Sequence, residues 1–364
     1  MDTTVPGIWF DENGECNFCK IHNESEKQYP QGEEGKSILN HIIKKIKNHS
    51  NSEYDCLIGI SGGTDSSYGL LLAKKYGLNP LAVHVDNGWN TDFAEKNIKT
   101  ITSKLDVDLK ILKLDWNEFK DLQISFLKAS VPDLETPTDD AIKALLIKTA
   151  KDYSLHFILD GQSFRTGGKC PIFWSYSDGK YVKAIHYQFG TSPIKQYYSL
   201  KTWDIIKYIY INRISFISML NYVEYDVNKV KEMLTKELDW ISYEGKHYES
   251  IYTRFITSYV LPKKFGIDKR KIHFSALIRS GQMTREQAIK TLKELSYPQE
   301  KMEEDRSFII KKLGLSEKEF NDYFIKPPKT FLNYPNEYKL KSKIMRLGLL
   351  LGIVPNKFKY YEWS

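Results

Sequence analysis

Apolar and polar positions follow two different rhythms along this chain. Short apolar runs at Asp55 to Ile60, Pro80 to Val85, Asp108 to Leu112 and His156 to Leu159 are bounded by polar or glycine-containing turns, and each reads as a buried strand. Between them, runs with helical spacing start at Ser66, Thr91, Trp116 and Thr138. This alternation predicts a parallel sheet with helices on both faces. Beyond Thr191 the rhythm lengthens into the amphipathic stretches Leu200 to Leu220, Val227 to Leu238, Thr284 to Leu295 and Glu303 to Leu313, which predict helices. The expected organisation is an amino-terminal extension over 1–49, an α/β domain over 50–195 and a helical region over 196–364 that completes a shared cleft.

The first strand runs directly into Ser61-Gly62-Gly63-Thr64-Asp65-Ser66-Ser67, which opens a helix. Paired glycines let backbone N–H groups converge on an anion, and the unpaired N–H groups at the helix start attract it further. Ser61, Ser66 and Ser67 add hydroxyl donors, and Asp65 can hold a phosphate-bridging Mg²⁺ or cap the helix. A strand-to-helix turn with an ordinary cap is the plainer reading, and the full SGGxDSS pattern after a strand outweighs it.

SGGTDSS resembles the signature of the PP-loop ATP pyrophosphatases, which grip the pyrophosphate of ATP while a substrate oxygen attacks the α-phosphate. The fold this implies is a doubly wound parallel α/β domain of the adenine nucleotide alpha hydrolase kind, followed by a helical carboxy-terminal region. No GxxxxGK[ST] is present, which disfavours γ-phosphate transfer. The second strand ends in Asp86-Asn87-Gly88-Trp89, at the carboxyl edge where an open α/β sheet binds ligands. Asp86 is therefore a candidate nucleotide contact, against the simpler role of capping the helix that runs from Thr91 to Lys104.

The 364 residues, 41% of them hydrophobic, suffice for one substantial core and a smaller second unit. No stretch approaches the roughly 20 apolar residues that cross a bilayer, no signal peptide opens the chain, and four cysteines lack disulfide spacing. A cytoplasmic location is the expectation. A formal charge of +7 permits nucleic acid without demanding it.

Two later segments narrow the reading. Asp160-Gly161-Gln162-Ser163-Phe164-Arg165-Thr166-Gly167-Gly168 follows the fourth strand as a crevice loop and leads to Trp174. Gly245-Lys246-His247-Tyr248-Glu249-Ser250, Arg254 and Lys263-Lys264-Phe265-Gly266-Ile267-Asp268-Lys269-Arg270 then concentrate cations among aromatics and glycines, where a merely solvated face would need only the charges. With the loop, these segments resemble the N-acetyl sugar amidotransferases, bacterial PP-loop enzymes of O-antigen and flagellin-glycan pathways that turn an acetamido group into an acetamidino group.

That resemblance implies ATP-dependent activation of the N-acetyl oxygen as an O-adenylyl imidate, then attack by ammonia with loss of AMP. Ser61, Gly62, Gly63, Thr64, Asp65, Ser66, Ser67, Asp86 and Gly161 would hold ATP and Mg²⁺. Lys246, Lys264, Lys269 and Arg270 would meet phosphate charge, with His247 handling protons. Gln162, Ser163, Arg165, Trp174, Tyr248 and Arg254 would line the sugar. With no glutaminase visible in the sequence, ammonia is expected from solution or from a separate glutaminase similar to that of imidazole glycerol phosphate synthase, with its barrel-shaped cyclase-like partner as a conduit.

Cys16-Asn17-Phe18-Cys19 has zinc-knuckle spacing, but structural zinc takes four ligands. Members resembling this chain carry a second CxxC pair just before the segment Asp2-Thr3-Thr4, which here follows Met1 directly. Zinc therefore requires Cys56, Cys170 or a histidine to complete the set. Two other classes stay open: a PP-loop tRNA-modifying enzyme that adenylates a base, and a nucleotide sensor without catalysis. No appended RNA-binding module is visible, and Cys170 has no partner cysteine suited to persulfide chemistry.

Overall fold

The computed structural model describes residues 1–49, 53–243 and 245–361; Glu244, just before the Gly245-Lys246-His247 segment, lies outside them. Two helices, α1 (Asn17–Gln28) and α2 (Gly32–Asn48), precede the sheet. The α/β unit then runs β1 (Cys56–Gly59), α3 (Thr64–Lys75), β2 (Pro80–Asp86), α4 (Asp92–Lys104), β3 (Leu109–Lys113), α5 (Trp116–Ala129), α6 (Thr136–Asp152) and β4 (Phe157–Asp160). After β4 come α7 (Phe164–Gly167), α8 (Gly179–Phe189), α9 (Thr202–Tyr210), β5 (Ser215–Ser218) and α10 (Val227–Leu238). The remainder is helical: α11 (Ile251–Phe255), α12 (Leu261–Phe265), α13 (Arg270–Arg279), α14 (Arg285–Lys293), α15 (Gln299–Leu313), α16 (Glu317–Ile325) and α17 (Tyr338–Leu350).

All five strands are parallel, in the order β3-β2-β1-β4-β5. The chain winds outward from β1 to β3, then crosses to β4 on the other side. The carboxyl ends of β1 and β4 therefore flank the point where winding direction reverses, the place where such sheets bind ligands. The fold is the doubly wound parallel α/β domain with a helical carboxy-terminal region that the sequence predicts.

Alternate residues of β1 serve opposite faces, as the pleat requires. Cys56 and Ile58 pack with Leu39, Leu70, Ile98 and Leu234, whereas Leu57 packs with Val83, Ile147 and Ile158. A third apolar cluster joins α5 and α8 to the carboxy-terminal helices through Phe119, Phe126, Tyr181, Phe255 and Phe331. It is the packing that fixes the helical region against one end of the sheet.

The Leu200 to Leu220 stretch departs from its expected helix. It divides into α9 and the edge strand β5, which pairs with β4 from Ser215 to Ser218. Four residues with Phe216 39% exposed carry no alternation strong enough to stand out from the helical pattern beside them.

Candidate functional site

The loop after β1 is held by its own hydrogen bonds and by two side chains from other elements. Gly62 has φ +77°, and an added Cβ would lie 2.4 Å from the Ala94 carbonyl oxygen, so only glycine fits. The Gly62 carbonyl accepts from the buried Trp240 indole at 3.0 Å and from Asn97 at 3.2 Å, which turns it away from the cleft. Ser66 Oγ accepts from the Ser61 N–H and donates to the Gly63 carbonyl, each at 3.2 Å. Gly63 is the N-cap of α3 and supplies no side-chain cap bond, and an added Cβ there would meet a Glu249 carboxylate oxygen at 2.9 Å and the Tyr243 hydroxyl at 3.1 Å, so these two groups lie on the helix start. Ser67 is fully buried with an unpartnered hydroxyl.

The loop after β4 closes on this turn. A Cβ on Gly161 would come within 2.8 Å of the Asp65 backbone, a contact that requires glycine. Gln162 is exposed at the mouth, while Ser163 is buried with an unpartnered hydroxyl. Asp86, at the end of β2, accepts from the Gly88 N–H at 2.9 Å, and Thr91 caps α4 in its place.

Residues 240–243 and 245–250 lie across the loop. Glu249 takes the Ser61 hydroxyl at 3.2 Å and the Tyr243 hydroxyl at 3.0 Å, and the Tyr243 hydroxyl accepts from the Thr64 N–H. Burial pushes the Glu249 carboxyl up, but His247 and Tyr243 outweigh it and hold it below the ordinary carboxylate range. Asp65 accepts a short bond from the Tyr225 hydroxyl and faces Lys246 Nζ at 3.8 Å. Lys246 also reaches the Thr166 carbonyl at 3.3 Å. His247 has φ +62° and an exposed ring 3.9 Å from Glu249. His273 bonds the same Thr166 carbonyl, and burial, with Lys246 nearby, lowers it to about 4.

Asp65, Lys246, His247 and the loop from Ser61 to Ser67 therefore meet in one cleft. Lys269, at the start of α13, acts electrostatically on Asp133, Glu135 and Asp139. Asp65 and Glu249 flank the loop as two carboxylates, a donor set that suits Mg²⁺ shared with phosphate oxygens.

Other expected site residues are spent elsewhere. Arg270 gives its donors to Asp268 and to the carbonyls of Thr291, Leu292 and Glu294, tying the start of α13 to the end of α14. Arg254 makes a bidentate pair with Asp305 at 2.8 and 2.7 Å, both buried. Arg165, 4% exposed, binds Glu26 and the carbonyls of Tyr29 and Asn221. Lys264 caps the carbonyls of Tyr323, Phe324 and Lys326. Trp174 is core, and the Tyr248 hydroxyl is bonded to Ser258 and the Ser296 carbonyl. These placements correct the phosphate and sugar contacts expected of those arginines, Lys264 and Trp174, because saturated or buried groups have nothing left to offer a ligand.

The zinc expectation is not supported. Cys16 and Cys19 lie 3.4 Å apart, with Arg279 beside Cys19, and among the described residues no three His, Cys, Asp or Glu side chains gather to hold a metal. Cys56 is buried within β1.

Sequence reasoning missed Trp240, Asn97, Tyr225, Tyr243 and the role of Glu249. Only Glu249 sat in a segment already singled out, and none carries a local signal of its approach to the loop.

Residues 249–346 match the family described as LPS biosynthesis protein WbpG-like, C-terminal domain, which bears out the sequence resemblance over that segment. The chain is 37% identical over 93 residues to the uncharacterized protein MJ1599 of Methanocaldococcus jannaschii, an alignment spanning 25% of this chain and 33% of that protein. Among solved structures, an NMN synthetase from Francisella tularensis is similar at 13% identity and TM-score 0.38, covering 78% of this chain and 95% of that one. An NH3-dependent NAD synthetase from Campylobacter jejuni is similar at 13% identity and TM-score 0.33, covering 73% and 98%. A predicted subunit of tRNA methyltransferase from Methanocaldococcus jannaschii is similar at 14% identity and TM-score 0.30, covering 50% and 75%.

Proposed function

We propose that this chain is an ATP-dependent, AMP-forming ligase that converts the N-acetyl group of a bacterial surface-glycan sugar into an acetamidino group. One observation supports the reading above the others: a glycine loop and helix start at the switch point of a parallel sheet, overlain by Lys246, His247 and Glu249 where the WbpG-like segment begins. An amide oxygen leaves poorly. Attack of that oxygen on the α-phosphate expels pyrophosphate, and loss of the amide proton gives the O-adenylyl imidate. Ammonia then forms the new C–N bond, and the C–O bond breaks with its electron pair leaving on AMP.

In this scheme the glycine loop and the start of α3 bind the departing pyrophosphate, Ser61 exchanging its bond to Glu249 for one to phosphate, and Lys246 neutralises phosphate charge, each contact counting for more in a walled site than in water. Asp65 and Glu249 would hold Mg²⁺, which supplies charge neutralisation on phosphate oxygens. His247 moves protons of the tetrahedral species. Ammonia comes from solution or from a separate glutaminase, with a cyclase-like barrel subunit as its route. No described helix is long and apolar enough to cross a membrane, and the need for ATP accords with work in the cytoplasm.

The test supplies ATP, ammonium and a panel of free and nucleotide-linked N-acetyl sugars, with bulk tRNA as a parallel arm. The expected result is AMP and pyrophosphate release with a sugar, and a product lighter by about one mass unit as O is replaced by NH. Release with tRNA alone would favour the base-modifying alternative. ATP binding without release in any arm would favour a sensor.

A further inference from the structure

Against the chain just beyond Glu249 lies a buried polar group that the scheme above does not use. Glu135 is 8% exposed at the start of α6; its Oε2 accepts from the Thr253 hydroxyl at 2.6 Å, and its Oε1 has no partner among the described residues. Tyr252, 1% exposed, buries a hydroxyl that is also unpartnered, and the charge acting on it is that of Glu135. Each of these two buried atoms forfeits a hydrogen bond that water would have given, a cost that a ligand supplying the missing partner would remove.

One turn further along α6, Asp139 is exposed, yet burial, opposed by Lys269 and His247, raises its carboxyl. A side chain that meets water while surrounded by protein lies on the wall of a cleft. Tyr252 and Thr253 follow closely on Glu249, which accepts from Ser61 of the loop, so the Thr253 bond sets Glu135 beside the segment that overlies the loop, and the charges of His247 and Lys269 act on both Glu135 and Asp139.

We propose that Glu135, Tyr252 and Asp139 form the ammonium-accepting site, in which Glu135 takes a proton from ammonium and releases ammonia toward the activated carbon. The inference rests on the amidating reading above. Ammonium carries four N–H donors and no acceptor, which matches a carboxylate oxygen, a phenol oxygen and a second carboxylate that all lack donors. Burial raises the Glu135 carboxyl to about 7, against the Thr253 bond and the fields of Lys269 and His247, so it is basic enough to work near neutrality. The same two cations disfavour ammonium once desolvated and favour neutral ammonia. The balance is direct: an N–H bond breaks as the Glu135 O–H bond forms, the freed nitrogen pair makes the C–N bond, and the proton passes to exposed Asp139 and solvent.

The experiment compares ammonium with hydroxylamine, which is already uncharged at neutral pH and needs no base. Sugar-dependent ATP–pyrophosphate exchange is followed alongside in wild type, Glu135→Gln and Tyr252→Phe. In Glu135→Gln the ratio of kcat/KM for ammonium to that for hydroxylamine is expected to fall about a hundredfold. Tyr252→Phe, which removes a hydroxyl that bonds nothing and so leaves folding intact, is expected to raise KM for ammonium about tenfold. An unchanged ratio in Glu135→Gln, or normal ammonium kinetics in Tyr252→Phe, with exchange present in wild type, would overturn the site alone. Absence of exchange in wild type with every sugar would overturn the function on which it rests.

Discussion

Two sets of cations in the same stretch of chain meet different fates. Arg254, Lys264 and Arg270 have donors committed to carboxylates or carbonyl oxygens at 2.7 to 3.3 Å. Lys246 spends one donor on the Thr166 carbonyl at 3.3 Å and faces Asp65 at 3.8 Å, His247 faces Glu249 at 3.9 Å, and Lys269 acts on Glu135 and Asp139 without an ion pair among the described residues. Both sets belong to one cluster when read as letters. Hydrogen-bond saturation separates them: a spent donor builds the frame, and an unspent one can still meet a phosphate.

The largest effect expected from this contrast lies in the frame. Arg254→Met strands Asp305 in the interior and should lower stability by about 3–5 kcal/mol, read by denaturant unfolding, with kcat/KM per folded molecule little changed. A stable but inactive variant would move Arg254 into the cleft's chemistry. Next comes Lys246→Met, for which kcat/KM for ATP should drop roughly ten- to a hundredfold while the melting curve stays in place. Near-normal kinetics would return Lys246 to the solvated surface and erase the contrast.

Arg270→Met should cost about 1 kcal/mol of stability, since its pair with Asp268 is part-exposed, and should leave ATP kinetics within about twofold. Strong loss of ATP affinity there would show that a saturated arginine can still be recruited. The smallest effect concerns pH. His273 titrates at about 4 when folded against an ordinary 6.5, so the unfolded chain binds more protons between those values. Its contribution is present above pH 6.5, is lost as pH falls toward 4, and is flat below. In His273→Asn the fall of the melting temperature across that window should flatten, and an unchanged slope would mean that the ring is not held neutral.

Local pattern carried most of the fold. The run Val227 to Leu238 is helical over its predicted span, and α3 and α6 begin two residues ahead of their predicted starts. β5 was illegible because an exposed edge strand of four residues is recognised by its partner β4, which lies more than fifty residues away in sequence. The glycine loop was legible for the opposite reason. Backbone convergence on an anion needs small residues at adjacent positions, and adjacency is what a sequence records.

By itself, then, the sequence determined the parallel α/β unit, its order with the helical region and the anion-binding turn, because strand period, helix period and glycine placement act between neighbours. Tertiary structure alone decided which cations are saturated, that Glu249 and Tyr243 lie on the loop, and that Glu135 and Tyr252 each bury an atom without a partner among the described residues. The physical reason is range. Saturation and burial depend on groups brought together from distant parts of the chain, as Arg254 and Asp305 or Ser61 and Glu249 are, and no local spacing encodes such a meeting.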